Sequence, residues 1–80
     1  MRVDRFDPIE IFERDGWVCS LCSTAIDQGL SYPHPMSASI DHIVPVAEGG
    51  EHSRANVAAA HLVCNMRKGV RGAAVQLALV

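Results

Sequence analysis

The order of hydrophobic and polar positions predicts a short helix near the start of the chain. Asp7 is a suitable N-cap, Pro8 suits the first helical position, and acids occupy the first turns before Arg14. The helix is expected to end near Asp15 and Gly16.

The middle of the chain predicts an irregular loop followed by a strand. Gly29, Pro33 and Pro35 interrupt regular structure. Residues 37–44 are rich in β-branched side chains and partly alternate between polar and apolar. This pattern indicates a strand that ends at Pro45.

The last part of the chain predicts a returning strand and a second helix. Residues 48–53 contain a Gly-Gly pair and are expected to turn the chain. Residues 56–60 are assigned as the returning strand by their position between two motifs, although alanine by itself favours a helix. Residues 61–68 have a helical composition, and the helix is expected to stop at Gly69. For the apolar tail 73–80, a helical turn, a partner contact and a disordered end all stay open.

Composition indicates one small domain that needs support beyond its hydrophobic core. The chain has 80 residues, and much of its apolar content is alanine. Below roughly 70–80 residues, a core alone rarely supplies more than about 3–5 kcal/mol of net stability. No segment approaches the roughly 18 apolar residues of a membrane span, and no signal-like run follows Met1. A cytoplasmic protein without a membrane partner is therefore expected.

Three cysteines and one histidine form two closely spaced pairs that predict a structural zinc site. The pairs are Cys19-x-x-Cys22 and His61-x-x-Cys64. An odd number of cysteines in a reducing compartment favours metal binding over disulfides. Three thiolates and one imidazole match the closed tetrahedral shell of structural Zn²⁺. The alternatives are a redox CxxC, whose usual βαβ context is absent, and an ordinary core histidine.

Positive charge is concentrated in the C-terminal part of the chain. The formal net charge of −2 argues against a strongly basic nucleic-acid binder. All nine acids lie within residues 1–51, and the cations beyond them are Arg54, Arg67, Lys68 and Arg71. Alone, this cluster indicates a solvated face, whereas a catalytic motif beside it would favour phosphate contacts.

A further set of polar residues and glycines is interleaved with the zinc pairs. It consists of Asp41-His42-Ile43-Val44-Pro45, Gly49-Gly50, Asn56 and Cys64-Asn65-Met66-Arg67-Lys68-Gly69. Over about residues 12–69 this order resembles the HNH endonuclease family, especially the small HNH domains of bacteria and their phages. The resemblance implies a small α+β fold of the ββα-metal (His-Me finger) type, stapled by a structural zinc. It also implies one HNH nuclease domain over residues 1–80, with a C-terminal tail over 70–80.

The resemblance implies catalytic roles for four residues. His42 would be the general base that takes a proton from water, and Asp41 and Asn65 would bind the catalytic metal. Asn56 would hold the loop and orient His42. Asparagine at position 65 is a frequent family variant, and its amide favours oxygen-loving ions such as Mg²⁺ or Mn²⁺. Each residue alone has an ordinary interpretation as a cap or turn residue, but their joint spacing favours catalysis.

The remaining polar residues near the motif are candidates for DNA contact. Arg67, Lys68 and Arg71 lie on the predicted last helix and are expected to contact phosphates, with Arg54 joining them. His52, in the Gly-Gly loop, either touches phosphate or packs under the loop.

The sequence therefore predicts a metal-dependent DNA endonuclease that uses one metal and a histidine base. Low sequence specificity is expected, because no recognition helix or basic extension is left to read base edges. One alternative is a non-catalytic, zinc-stabilised module that binds nucleic acid or protein. Another is a component of a phage packaging complex in which the apolar tail docks on a partner. A homodimer and a phage or host protein partner both stay open.

Overall fold

The computed structural model describes the backbone of residues 3–73 and the side chains of residues 3–69. Its elements are α1 (Pro8–Arg14), β1 (Ala38–His42), β2 (Val57–His61) and α2 (Leu62–Ala73). Two short 3₁₀ turns, Val46–Glu48 and Arg54–Asn56, lie between the strands. This succession confirms the predicted order of elements. The predicted apolar tail beyond residue 73 lies outside the described residues.

Local sequence accounts for both ends of α1. The Asp7 carboxylate accepts a hydrogen bond from the Ile9 N–H at 2.9 Å, and Pro8 occupies the first turn. Phe12 is buried in the core, and Gly16 leaves the helix with a φ of 68°. The positive φ explains why glycine follows this helix.

The two strands form an antiparallel sheet in which His42 of β1 pairs with Val57 of β2. The predicted returning strand is confirmed, displaced by one residue. Ala59 and Ala60 are fully buried and belong to the same core cluster as Phe12. Packing against the core thus outweighs the intrinsic helix preference of alanine.

β1 ends two residues before the predicted end, at His42 rather than Val44. Beyond His42, the Asn56 backbone oxygen accepts a hydrogen bond from the Ile43 N–H at 2.8 Å. The Asn56 side-chain oxygen accepts from the Val44 N–H at 3.0 Å. Asn56 alone therefore accepts both hydrogen bonds that successive residues of β2 would otherwise accept, and regular strand pairing stops.

The second helix continues through Gly69 to Ala73, so the prediction that it stops at Gly69 is wrong. A glycine that ends a helix usually adopts a positive φ, as Gly16 does, whereas Gly69 keeps a helical backbone. Glycine inside a helix costs about 1 kcal/mol relative to alanine. That cost weakens α2 without ending it.

Side chains from the end of α1 cover the outer edge of β2. Arg14 donates hydrogen bonds to the carbonyl oxygens of Arg54 at 2.8 Å and Val57 at 2.7 Å. Asp15 accepts from the Ala59 N–H at 2.8 Å and forms an ion pair with Arg14. These contacts satisfy backbone groups that an edge strand would otherwise expose.

The core is small and includes one of the predicted zinc ligands. Its buried cluster consists of Phe12, Cys19, Ile26, Ala59 and Ala60. Two of these five residues are alanines, so a stabilising element besides hydrophobic burial is still needed. Within residues 3–73, no helix has the length and apolar character needed to cross a membrane.

Candidate active site and metal centre

The four predicted zinc ligands meet where β2 joins α2. Their ligand atoms all lie within 4.8 Å of one another. Cys19 and Cys22 lie on the turn that follows α1, His61 is the last residue of β2, and Cys64 lies in the first turn of α2. The CxxC turn therefore supplies one ligand pair and the strand–helix junction supplies the other.

Hydrogen bonds prepare these side chains to bind a metal ion. Cys19 Sγ accepts from the backbone N–H groups of Leu21 and Cys22 at 3.4 Å and of His61 at 3.3 Å. His61 Nε2 lies 3.1 Å from the Ala25 carbonyl oxygen, and because a carbonyl only accepts, Nε2 carries the proton. In the neutral imidazole Nδ1 of His61 is then the unprotonated nitrogen, and it lies 3.4 Å from Cys22 Sγ, on the side where a metal ion would bind.

The thiols of this centre are inequivalent. A hydrogen bond with the Thr24 side chain lowers the pKa of Cys22 to about 6. Burial, followed by the neighbouring thiols, raises the pKa of Cys64 to about 11. Three thiolates this close repel one another unless a cation lies between them. The donor set therefore fits a tetrahedral Zn²⁺ that has no open position.

A second site is a cleft of about 280 Å³ between the end of β1, the turn Val46–Glu48 and α2. Three residues of the predicted catalytic motif, Asp41, His42 and Asn65, line it together. The cleft is thus large enough for several water molecules or a phosphate group.

Asn56 lies under the loop after β1 and holds that loop closed. Its side chain accepts from the Val44 N–H at 3.0 Å and donates to the carbonyl oxygens of Val44 at 3.0 Å and Glu51 at 2.8 Å. Gly50 is needed in the same loop, because a Cβ there would lie 1.8 Å from the Val44 carbonyl oxygen. These three hydrogen bonds go to the loop backbone, so Asn56 acts on His42 only through the position of the chain.

His42 is half-buried, and its ring is held by a second histidine. Its Nε2 lies 2.9 Å from Nδ1 of His52. Burial lowers the pKa of His42, and the charges of His52 and Lys68 lower it further, against an opposing effect of Asp41. The imidazole is therefore neutral near neutral pH, which is the form that accepts a proton.

Asp41 is buried and forms an ion pair with Lys68. The Lys68 ammonium lies 2.9 and 3.2 Å from the two carboxylate oxygens of Asp41. It also donates to the His42 carbonyl oxygen at 2.9 Å. The negative charge of Asp41 is thus balanced by a cation from α2, although a carboxylate has acceptor sites beyond those that one ammonium occupies.

The Asn65 amide is oriented so that its oxygen is free to bind a metal ion. Nδ2 donates to the Ile40 carbonyl oxygen at 2.8 Å and to Ser39 Oγ at 3.2 Å. Because only the NH₂ end of an amide can donate to a carbonyl, this pairing identifies the two ends of the side chain. An amide oxygen and a carboxylate in one cleft fit a hard divalent ion such as Mg²⁺ or Mn²⁺.

The sequence also matches a known family of proteins. A family model described as HNH endonuclease matches residues 19–71, more than half of the chain. The chain belongs to the HNH endonuclease family. No curated protein and no solved structure matches it. The matched range contains both zinc pairs and the cleft residues, so the predicted family and the predicted α+β, ββα-metal fold are confirmed.

The cations predicted to contact DNA have different surroundings in this HNH domain. Arg54 is ion-paired with Glu10, with Nη2 and Oε1 3.2 Å apart. Lys68 is engaged in the cleft, whereas Arg67 is exposed on α2. The side chain of Arg71 lies outside the described residues. Among the side chains described, Arg67 is therefore the member of this set best placed to meet a phosphate backbone.

Two contacts made by cleft residues of this HNH domain are not anticipated by sequence reasoning. One is the pairing of His52 with His42, and the other is the pairing of Lys68 with Asp41. A weak signal exists for each. His52 follows a Gly-Gly turn that brings the chain back toward β1, and Lys68 lies about one helical turn after Asn65.

Proposed function

We propose that this HNH domain is a metal-dependent endonuclease that hydrolyses phosphodiester bonds in DNA, with His42 as the general base. The observation that carries the proposal is the cleft that His42 shares with Asp41 and Asn65 on a fold of the HNH family. Together these side chains combine a base with two oxygen ligands, which is what one-metal hydrolysis requires of a protein.

His42 is suited to act on water because its imidazole is neutral near neutral pH. The ring takes a proton from water, and the oxygen attacks phosphorus in line with the departing 3′ oxygen. A positioned general base contributes about 10²–10⁴-fold to such a reaction. The family resemblance implies products with 5′-phosphate and 3′-hydroxyl ends.

Asp41 and Asn65 would hold the catalytic Mg²⁺ or Mn²⁺. When bound, this ion supplies positive charge to the phosphate and to the departing oxygen. Ile40 and Ser39 hold the Asn65 amide so that its oxygen is the available ligand atom. The Cys₃His centre has a complete set of ligands, so its zinc is assigned a structural role.

The charge distribution favours DNA binding that is weak and independent of sequence. The net charge is −2, and Arg54 and Lys68 are both engaged in ion pairs within the chain. Few cations are left to contact phosphates, so binding should be weak, and its salt dependence should be shallow because the slope scales with the number of phosphate contacts. DNA is the proposed partner and the cytoplasm the proposed compartment.

One observation favours a second candidate function, a zinc-stabilised module that binds nucleic acid or protein without cutting. Lys68 contacts both oxygens of Asp41, so the cleft is neutralised without a divalent ion. A binding module would keep this ion pair, whereas a nuclease needs the carboxylate to accept a metal as well.

Nicking of supercoiled plasmid DNA separates the two functions. The wild-type chain should nick the plasmid with Mg²⁺ or Mn²⁺, and His42→Ala should reduce the rate by about 10²-fold or more. His34→Ala is the matched control, because His34 is exposed and its ring accepts a hydrogen bond from the nearby Met36 N–H. Equal rates for wild type and His42→Ala would contradict the proposed function.

A further inference from the structure

His52 makes a direct side-chain hydrogen bond to the proposed base. Its Nδ1 lies 2.9 Å from Nε2 of His42, and the ring centroids are 5.2 Å apart. We infer that His52 is a positioning residue that fixes the tautomer and orientation of His42, so that Nδ1 of His42 is the atom that accepts the proton. The inference rests on the proposed nuclease function.

The hydrogen bond selects one of two arrangements of protons. If His42 donates from Nε2, both neutral rings carry their proton on Nε2, which is the more stable tautomer of a histidine side chain. If His52 donates instead, both rings must carry it on Nδ1, and His42 has no free lone pair left to act as a base. The first arrangement is therefore both the more stable one and the one that permits catalysis.

This arrangement also stabilises the product of proton transfer. Water gives its proton to Nδ1 of His42, while the Nε2 proton stays on His42 and continues to face Nδ1 of His52. The donor is then an imidazolium, and a hydrogen bond from a charged donor is roughly twice as strong as a neutral one. His52 thus helps more after proton transfer than before it, which is the condition for lowering the barrier.

The N-terminal segment also supports the His52 ring. Phe6 stacks on it with ring centroids 4.7 Å apart and an angle of 22° between the ring planes. The His52 carbonyl oxygen accepts from the Asp4 N–H at 2.8 Å, and Val3 forms a β-bridge with His52. The Arg54 guanidinium lies over the other ring of this stack, 5.8 Å from the Phe6 centroid. A ring supported in this way keeps its nitrogen aimed at His42.

Three substitutions at position 52 separate the hydrogen bond from packing. His52→Asn places an amide oxygen near the position of Nδ1 and keeps an acceptor for His42. His52→Gln carries its oxygen one bond farther along the side chain. His52→Phe retains the aromatic stack on Phe6 and has no acceptor.

Nitrogen-15 spectra of the histidine rings in the zinc-loaded full chain, without Mg²⁺ or Mn²⁺, test the tautomer directly. We expect His42 to be protonated on Nε2 and unprotonated on Nδ1 in the wild type and in His52→Asn. In His52→Phe and His52→Gln the preference should fall to the weaker one of a histidine side chain without a partner, so that a measurable fraction of His42 carries its proton on Nδ1. A wild-type His42 that carries its proton on Nδ1 would overturn the inference even in an active enzyme.

Plasmid nicking with Mn²⁺ then tests the consequence for catalysis. His52→Phe and His52→Gln should lower kcat by about 10–100-fold, the range for losing one hydrogen bond to an ionised group, with little change in KM. His52→Asn should recover most of the rate, which a purely structural role would not predict. A wild-type chain that does not nick DNA overturns the proposed function and this inference with it. A normal kcat in a folded His52→Phe overturns the inference alone.

Discussion

Replacing Lys68 by methionine should destabilise the cleft, because it removes the cation that faces a buried carboxylate. The Lys68 ammonium lies 2.9 and 3.2 Å from the Asp41 oxygens and 2.9 Å from the His42 carbonyl oxygen. The Asp41 side chain is 5% exposed and the Lys68 side chain 27% exposed. Methionine keeps most of the lysine stem, so charge and hydrogen bonds are lost with little change in packing.

The expected magnitude follows from the burial of Asp41. Removing one partner of a fully buried ion pair costs about 3–5 kcal/mol. Because Lys68 keeps some contact with water, we expect a loss of about 2–3 kcal/mol, which lowers the Tm of a domain of this size by about 10–20 °C. Urea and thermal unfolding of the zinc-loaded chain, followed by Trp17 fluorescence without Mg²⁺ or Mn²⁺, measure the loss.

Mn²⁺ should restore much of this stability if the cleft binds the catalytic ion. A ligand that binds only the folded state stabilises it by about 2.7 kcal/mol at a hundredfold excess over its Kd. The gain should be larger in Lys68→Met than in the wild type, because the ammonium no longer shares the carboxylate oxygens. Adding Asp41→Asn to Lys68→Met should remove the response to Mn²⁺.

Arg67→Met is the matched control, since Arg67 is an exposed cation next to Lys68 on the same helix. Its effect on the free energy of unfolding should stay within about 0.5 kcal/mol. If Lys68→Met unfolds at the same urea concentration as the wild type, the ion pair contributes no net stability and the reasoning from burial is refuted.

Three further predictions concern zinc, two glycines and pH. Chelating zinc at neutral pH should abolish cooperative unfolding, since a zinc-binding free energy of about 10–16 kcal/mol exceeds the net contribution of the core to stability. An unchanged melting curve after verified zinc removal would contradict this. Gly50→Ala should lower the Tm, because its Cβ would lie 1.8 Å from the Val44 carbonyl oxygen. Gly69→Ala should instead raise the free energy of unfolding by about 0.5–1 kcal/mol, because a Cβ at this helical position meets open space. Shifts of the same sign in the two melting curves would contradict that pair. The cleavage rate should fall as pH drops through the pKa of His42, which burial holds below its ordinary value of about 6.5, and should level off above it. A rate that still climbs tenfold between about pH 7 and pH 9 would argue against His42 as the base.

The zinc centre is predictable from sequence because each of its ligand pairs is local. Cys19 and Cys22 share one turn, and His61 and Cys64 bracket the start of α2. Short spacings of this kind constrain geometry whatever the rest of the chain does. The returning strand is predictable only with the help of these motifs, because the alanines of β2 favour a helix on their own.

The contacts made by the cleft residues His42 and Asp41 are not predictable in the same way, because they join distant elements. His52 reaches His42 only because the loop closed by Asn56 brings it back to the end of β1. Lys68 reaches Asp41 only because α2 crosses the strand with one particular rotation about its axis. Such angles depend on packing between elements, which hydrophobic patterns and short spacings do not determine.

Zinc bound at the Cys₃His centre would also constrain the geometry of the cleft, because both sites use the same strand–helix junction. Cys64 is a predicted zinc ligand, Asn65 follows it directly, and Lys68 lies about one turn farther along α2. An α-helix turns by about 100° per residue, so binding of His61 and Cys64 to one ion would fix which side of α2 faces β1. A rotation of that size would carry the Asn65 amide away from the Ile40 carbonyl oxygen, 2.8 Å from it in the folded chain. A zinc ion with no open position would thus contribute to the cleft by holding α2 at the rotation that places Asn65 and Lys68 beside β1.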